Sequence, residues 1–169
     1  MKKKSLMSQS DSVKAFRQCL GQFATGVTVV TCCNSQGAPC GITANSFSAV
    51  SLDPPLVLWN IAKSSNSLQA YLDAKFYSIH ILTAEQQHLS VHFAQSIHTL
   101  YEEIAYTRSE NGVPVLPGCL ARLDCSTHTI HDCGDHYIIV GHVDDFCVEG
   151  DDPLLVFGGN YRSMESSQA

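Results

Sequence analysis

An antiparallel β-barrel with a few helices at its margins, in the α+β class, is the fold this sequence predicts. Its strand candidates follow one another through turn-rich joints, such as NSQG (Asn34 to Gly37) and HDCGD (His131 to Asp135). No regular strand–helix–strand alternation is present, and no G-x-G-x-x-G follows a strand, so neither a doubly wound sheet nor a Rossmann-type site is supported. At 169 residues, 44% of them hydrophobic, the chain has material for one core and one domain.

The elements read in order as follows. Asp11 or Ser12 can cap a helix whose apolar positions Val13, Phe16, Leu20 and Phe23 keep helical spacing, with Gly21 weakening its end. The period then changes to the β-branched run VTVVTCC from Val27, the turn NSQG and a second strand near Ala38, which together form a hairpin. Pro54 and Pro55 hold an extended entry to LVLWNI, apolar enough for a central strand. SLQAYL from Ser67 gives one or two helical turns, KFYSIHIL a strand, and Thr83 with Gln86 a T-x-x-Q capping box before a helix carrying Leu89 and Phe93. His98 to Pro117 reads as loop with a short helix around LYEEIAY. CLARLDCSTHTI and HYIIVGHVDDFCV are long strands, and LLVF is a last short one. The domain is expected over residues 12–162, between a disordered polar N-terminus (1–11) and a flexible tail (163–169).

Composition excludes several functions. The net charge is −6 and the ten Lys and Arg are scattered apart from Lys2 to Lys4, so no basic stripe exists for nucleic acid. Lys2 to Lys4 are not followed by the apolar stretch of a signal peptide, and no run approaches membrane-spanning length, so a soluble cytoplasmic protein is expected. Most of the eight cysteines read as small core residues in that compartment, with a redox-active pair as the lesser reading. No serine-nucleophile elbow occurs.

Three constellations could carry chemistry. Gly41 to Ser67 is dense in hydroxyls and amides yet holds only two formal charges, Asp53 and Lys63. Within it TANSFSAVS offers small neutral donors and acceptors suited to the edge of a flat heteroaromatic ring, although such residues also simply cap and turn a chain. KSSNSLQAYL places Ser64, Ser65 and Ser67 at a helix start, where free amides and hydroxyls suit a phosphate, with ordinary N-capping as the alternative. In HDCGDHYIIVGH, Asp135 could fix the tautomer of His136. A metal site built from His128, His131, Cys133 and His136 matches no zinc spacing, and His88 and His92 in HLSVH lack a zincin's Glu, so no metal is expected.

Four separated motifs, FRQCLGQFATGVTVVT, GITANSFSAVSLDPPLVL, PVLPGCLARLDC and GDHYIIVGHV, resemble in order and spacing the flavin reductase family of the FMN-binding split barrel, over Val13 to Tyr161. The resemblance implies a homodimer that uses NADH or NADPH to reduce FMN or FAD and supplies the reduced flavin to a separate monooxygenase. It sets Thr43, Ala44, Asn45 and Ser46 along the flavin ring and ribityl chain with Ser51 nearby, and Ser64, Ser65 and Ser67 at the phosphate. It further sets His136 beside the nicotinamide, with Phe93, Ala94 and Tyr161 bordering the pocket. Rival readings are a flavin- or haem-binding split-barrel protein without reductase turnover and a flavoprotein amine oxidase; for the latter no Arg-rich phosphate site is present.

Overall fold

The computed structural model describes residues 9–95, 104–150 and 152–164. Helix α1 spans Gln9–Leu20 and begins ahead of the predicted cap, with Asp11 in its first turn, where a carboxylate complements the helix dipole. Two residues of β1 (Thr25–Gly26) lead into β2 (Thr28–Cys33), β3 (Pro39–Ala44), β4 (Ser48–Leu52) and β5 (Pro55–Ala62). The short helix α2 (Leu68–Asp73) and strand β6 (Phe76–Ile81) come next, then a single 3-10 turn (Ala84–Gln86) that runs into α3 (Gln87–Phe93). The remaining strands are β7 (Thr107–Arg108), β8 (Pro114–Val115), β9 (Ala121–Cys133), β10 (His136–Val148), β11 (Leu155–Phe157) and β12 (Asn160–Arg162).

Seven strands form one antiparallel sheet in the order β3-β2-β6-β9-β10-β5-β4. β3 and β4 are consecutive in the chain yet occupy opposite ends of that order, and β3 also approaches β5, so the sheet curls on itself and Asn45 to Phe47 bridge the two edges. This is the mainly antiparallel architecture expected, with β1, β11 and β12 as a small accessory sheet. The β2–β3 turn closes through Asn34, whose Oδ1 accepts hydrogen bonds from the amides of Gln36 (3.0 Å) and Ala38 (2.9 Å). Cys133 faces His136 across β9 and β10, which leaves Gly134-Asp135 as a two-residue turn with Gly134 at φ 62°.

Three expectations need correction. LVLWNI lies in β5, one strand from the sheet edge rather than at its centre, and its burial alternates. Val57, Trp59 and Ile61 face the core, whereas Leu56, Leu58 and Asn60 on the other face are only half-buried. Ser48 to Leu52 is a strand of its own, hidden in the sequence because its mostly exposed side chains carry no alternating pattern. Of the eight cysteines only Cys32, Cys119 and Cys125 are buried, so most do not serve as core residues. The helix predicted around LYEEIAY lies partly outside the described residues, and Ile104 to Tyr106 are irregular.

Two apolar clusters hold the fold. Trp59 is fully buried at the centre of the first, with the rings of Tyr71 (centroids 5.1 Å apart) and Tyr77 (6.1 Å) edge-on to it. The Tyr71 hydroxyl donates to the Val30 carbonyl at 2.6 Å, so its polar end is satisfied inside the core. The second cluster joins Val27, Val29, Leu82, Leu89, Phe93 and Leu116 and seats α3 on the sheet. Helix α1 differs: Val13, Phe16 and Leu20, with Phe23 just beyond it, are 50–79% exposed, so its apolar stripe finds no cover among the described residues.

Candidate flavin and nicotinamide site

A cavity of about 370 Å³ opens where three segments meet. Cys40 to Ile42 of β3 form one wall, Ser65 to Ser67 ahead of α2 a second, and Phe93 to Gln95 at the end of α3 a third. The volume is within the range of small-molecule pockets. Its lining contains no lysine or arginine and one carboxylate, Asp73, which accepts a hydrogen bond from the Gln69 amide at 2.9 Å.

The serine turn is built locally. Ser65 N–H donates to the Ala62 carbonyl (3.0 Å), Ser65 Oγ accepts from Ser67 N–H (3.3 Å), and Ser67 occupies the N-cap of α2 without making a side-chain cap bond. The alternative of side-chain N-capping is thus not seen at Ser67, which lines the cavity. Because α2 has only six residues, its dipole is small, and recognition here depends on individual N–H and O–H groups. Lys63 adds little charge to the turn, since its ammonium is paired with Asp132 of β9 and lies over the Tyr137 ring at 5.1 Å.

The GDH turn lies beside this segment. His136 pairs in register with Ala62, and the Lys63 amide donates to the Asp135 carbonyl at 2.9 Å, which fixes the turn to the end of β5. His136 Nδ1 is 2.7 Å from Asp135 Oδ1, as the sequence suggested. With the proton on Nδ1, the pair fixes the tautomer and leaves Nε2 as an acceptor in the neutral ring. That hydrogen bond to His136 also holds the Asp135 carboxyl below its ordinary range.

The other predicted residues are divided by the fold. Ser65, Ser67, Phe93 and Ala94 line the cavity, and Ser64 lies exposed in the adjoining turn. Thr43 is tied elsewhere, its hydroxyl donating to the Ser90 carbonyl at 2.7 Å, and Ala44 is buried in the core. Asn45 is exposed in the bridge between the sheet edges, Ser46 Oγ accepts from the Asn60 amide at 2.9 Å, and Ser51 is half-buried on β4 opposite Leu56. Tyr161 reaches the site indirectly, its hydroxyl 2.8 Å from Ser90 Oγ.

Two residues went unnoticed in the sequence. Ser90 is fully buried and joins β3, α3 and β12 through Thr43 and Tyr161, a role visible only once those elements pack. Asn60 Oδ1 is buried beside Ser46 without a hydrogen-bond partner among the described residues. An unmet acceptor for a ring N–H, and neutral hydroxyl and amide donors for ring carbonyls and phosphate, are the kinds of group a flavin asks for. Among the described residues no group of three or more His, Cys, Asp or Glu could hold a metal ion.

Residues 20–165 match the flavin reductase like domain family. The chain is 45% identical over 151 residues to the FMN reductase (NADH) SmoA of Agrobacterium fabrum, which covers 89% of this chain and 86% of that protein. The crystal structure of nitrilotriacetate monooxygenase component B from Mycobacterium thermoresistibile superposes with a TM-score of 0.90 at 36% identity, over 96% of this chain and 92% of that one. The NADH:FAD oxidoreductase SgcE6 of Streptomyces globisporus, solved with NAD and FAD fragments, gives a TM-score of 0.88 at 33% identity, covering 98% and 99% of the two chains. A family match over residues 20–165 and a relative 45% identical over most of both chains make this chain a member of the flavin reductase like domain family.

Proposed function

We propose that the cavity between β3, the serine turn and α3 receives the phosphate end of FMN or FAD, with its ring extending toward Asn45, Ser46 and Ser51, and that His136 orients the nicotinamide of NADH or NADPH. The chain is an NAD(P)H:flavin oxidoreductase of the two-component type. When bound, the flavin supplies the ring nitrogen that accepts hydride from nicotinamide C4, so no protein nucleophile is required.

What the chain contributes is position and environment. Ser65 and Ser67 offer hydroxyl and amide donors, and Phe93, 1% exposed, gives the cavity an apolar wall. His136, its Nδ1 engaged by Asp135, presents Nε2 to the second ligand. Stacking the two rings in reacting geometry is the main catalytic effect available to such a site.

The uncovered stripe on α1, together with Leu52 at 94%, Phe146 at 70% and Val148 at 74% exposure, supports a homodimer in which the partner covers these faces. We further propose that reduced flavin passes to a separate monooxygenase, in the cytoplasm, where eight thiols stay reduced. No helix of the described residues is long and apolar enough to cross a membrane.

The observation that carries the site assignment is the convergence of a serine turn with unspent donors and a carboxylate-oriented histidine at one end of β5. NADH consumption with FMN, FAD and riboflavin compared side by side tests it: turnover is expected with all three, with a lower KM for the phosphorylated forms. Equal KM values for FMN and riboflavin would remove the phosphate assignment, and bound flavin without NADH consumption would make the protein a carrier.

A further inference from the structure

Cys32 and Cys40 stand directly opposite each other across the β2–β3 ladder. The neighbouring pair sets Cys33 against Pro39, which has no amide to donate, so the Cys32–Cys40 pair falls at the hydrogen-bonded position, where opposed Cα atoms are about 5.5 Å apart. That spacing is within the window a disulfide needs. Because opposed residues share a face, both side chains turn to the same core, Cys32 within it and Cys40 packed against it. The two differ in access: Cys32 is fully buried, whereas Cys40 is half-buried and lines the cavity.

We propose that Cys32 and Cys40 are a peroxide-sensitive dithiol in the cavity wall, with Cys40 the thiol that is oxidised and Cys32 the one that closes a cross-strand disulfide. The thiols divide the work by their surroundings. A hydrogen bond from Cys32 lowers the Cys40 pKa to about 7, against a smaller opposing effect of burial, while that same hydrogen bond and burial push Cys32 up. Cys40 is accordingly the nucleophile at neutral pH. Its thiolate attacks one oxygen of hydrogen peroxide; the S–O bond forms, the O–O bond breaks, and the hydroxide released takes up a proton to become water. Cys32 sulfur then attacks the Cys40 sulfenic acid, forming S–S and expelling its oxygen as a second water, with the proton from Cys32. Two thiols and one peroxide thus give one disulfide and two waters.

The oxidant is the hydrogen peroxide formed when dioxygen takes two electrons and two protons from reduced flavin that has left the enzyme, a source that rests on the reductase activity; the dithiol itself does not.

The test is made on the full-length protein. Hydrogen peroxide near stoichiometry is added without flavin, remaining thiols are alkylated, and the protein is mapped by mass spectrometry without reduction. A peptide that has lost two hydrogens and carries no alkyl group at Cys32 and Cys40 is expected before the exposed Cys19 and Cys133 oxidise. Cys32→Ala should leave Cys40 as a sulfenic acid that a 1,3-dione captures, and Cys33→Ser should leave the crosslink intact. Oxidation of Cys19 or Cys133 with Cys40 untouched in the wild-type chain, or a crosslink that persists in Cys32→Ala, would overturn the proposal; the wild-type map decides even if the variant fails to fold. Turnover with NADH and FMN in air should give the same crosslink and catalase should suppress it. If added peroxide works and turnover does not, the dithiol stands and its flavin-derived oxidant is refuted.

Discussion

His80 lies wholly inside the protein on β6, paired in register with Val29 of β2. Its Nδ1 is 3.1 Å from the Val29 carbonyl, and its Nε2 accepts from the Leu116 amide, also at 3.1 Å. The neutral ring with its proton on Nδ1 therefore satisfies both contacts. A second proton on Nε2 would oppose the Leu116 N–H and bring a charge into a fully buried site. Burial accordingly lowers the pKa from 6.5 to about 4, with the Val29 carbonyl opposing the shift and the Arg122 charge adding to it.

The sign follows from where the proton binds first. Since the folded value is depressed, the unfolded chain takes up the proton at higher pH, and stability falls as pH drops from about 6.5 toward 4. The full difference corresponds to roughly 3 kcal/mol, of which about 2 kcal/mol is lost between pH 7.5 and pH 5. Trp59, the chain's single tryptophan, is buried in the first cluster and reports unfolding by its fluorescence. Urea melts at fixed protein concentration should show this loss in the wild type and not in His80→Gln. Taking the difference between the two proteins cancels every other titrating group, including Asp135, whose depressed carboxyl acts at lower pH. An equal fall in both proteins, or none in either, would refute the reasoning.

Four further outcomes are expected. Gly141→Ala would place a Cβ 1.9 Å from Tyr77 Oη and 3.2 Å from Cys125 Cβ in a packed core, so thermal or urea unfolding should register a loss of about 1–3 kcal/mol. Ser67→Ala should raise KM for FMN about fivefold, the equivalent of one lost hydrogen bond near 1 kcal/mol, and leave KM for riboflavin unchanged. His136→Ala should raise KM for NADH about tenfold with kcat nearly constant, as for an orienting contact worth roughly 1–2 kcal/mol; a thousandfold fall in kcat at constant KM would make it a general acid or base instead. Phe16→Glu puts a charge on the exposed stripe of α1 and should convert the proposed dimer to monomer in sedimentation, a change that an already monomeric protein would not show.

The parts of the fold legible in the sequence are those fixed by neighbours along the chain. The β-branched run of β2, the Asn34 turn and the long β9–β10 hairpin each declare themselves within a dozen residues, because periodicity and turn chemistry are local. β4 did not, since an edge strand with both faces largely exposed has no apolar alternation to display. The α1 stripe shows the opposite limit: its spacing is plain, but only the structure shows that none of the described residues covers it. The site was half legible for the same reason. Ser65 and Ser67 belong to one turn, whereas the bond from the Thr43 hydroxyl to the Ser90 carbonyl joins residues distant in sequence and shows only in the fold.

The charge of the cavity bears on what such an enzyme must do after turnover. A site closed around a dianionic phosphate by arginines would hold the flavin through charge-assisted bonds, each stronger than a neutral one. Among the described residues the lining has no cation and one carboxylate, and Lys63 at the serine turn is engaged by Asp132. In the proposed reading, affinity comes from neutral hydrogen bonds of modest net worth and from contact with Phe93 and the β3 backbone. Such a hold is specific in shape yet shallow in energy. A carrier that must release reduced flavin to another protein needs a shallow hold, and a permanently bound prosthetic group would need the reverse. The neutral polarity of Gly41 to Ser67 thus suits exchange of flavin as substrate better than its retention.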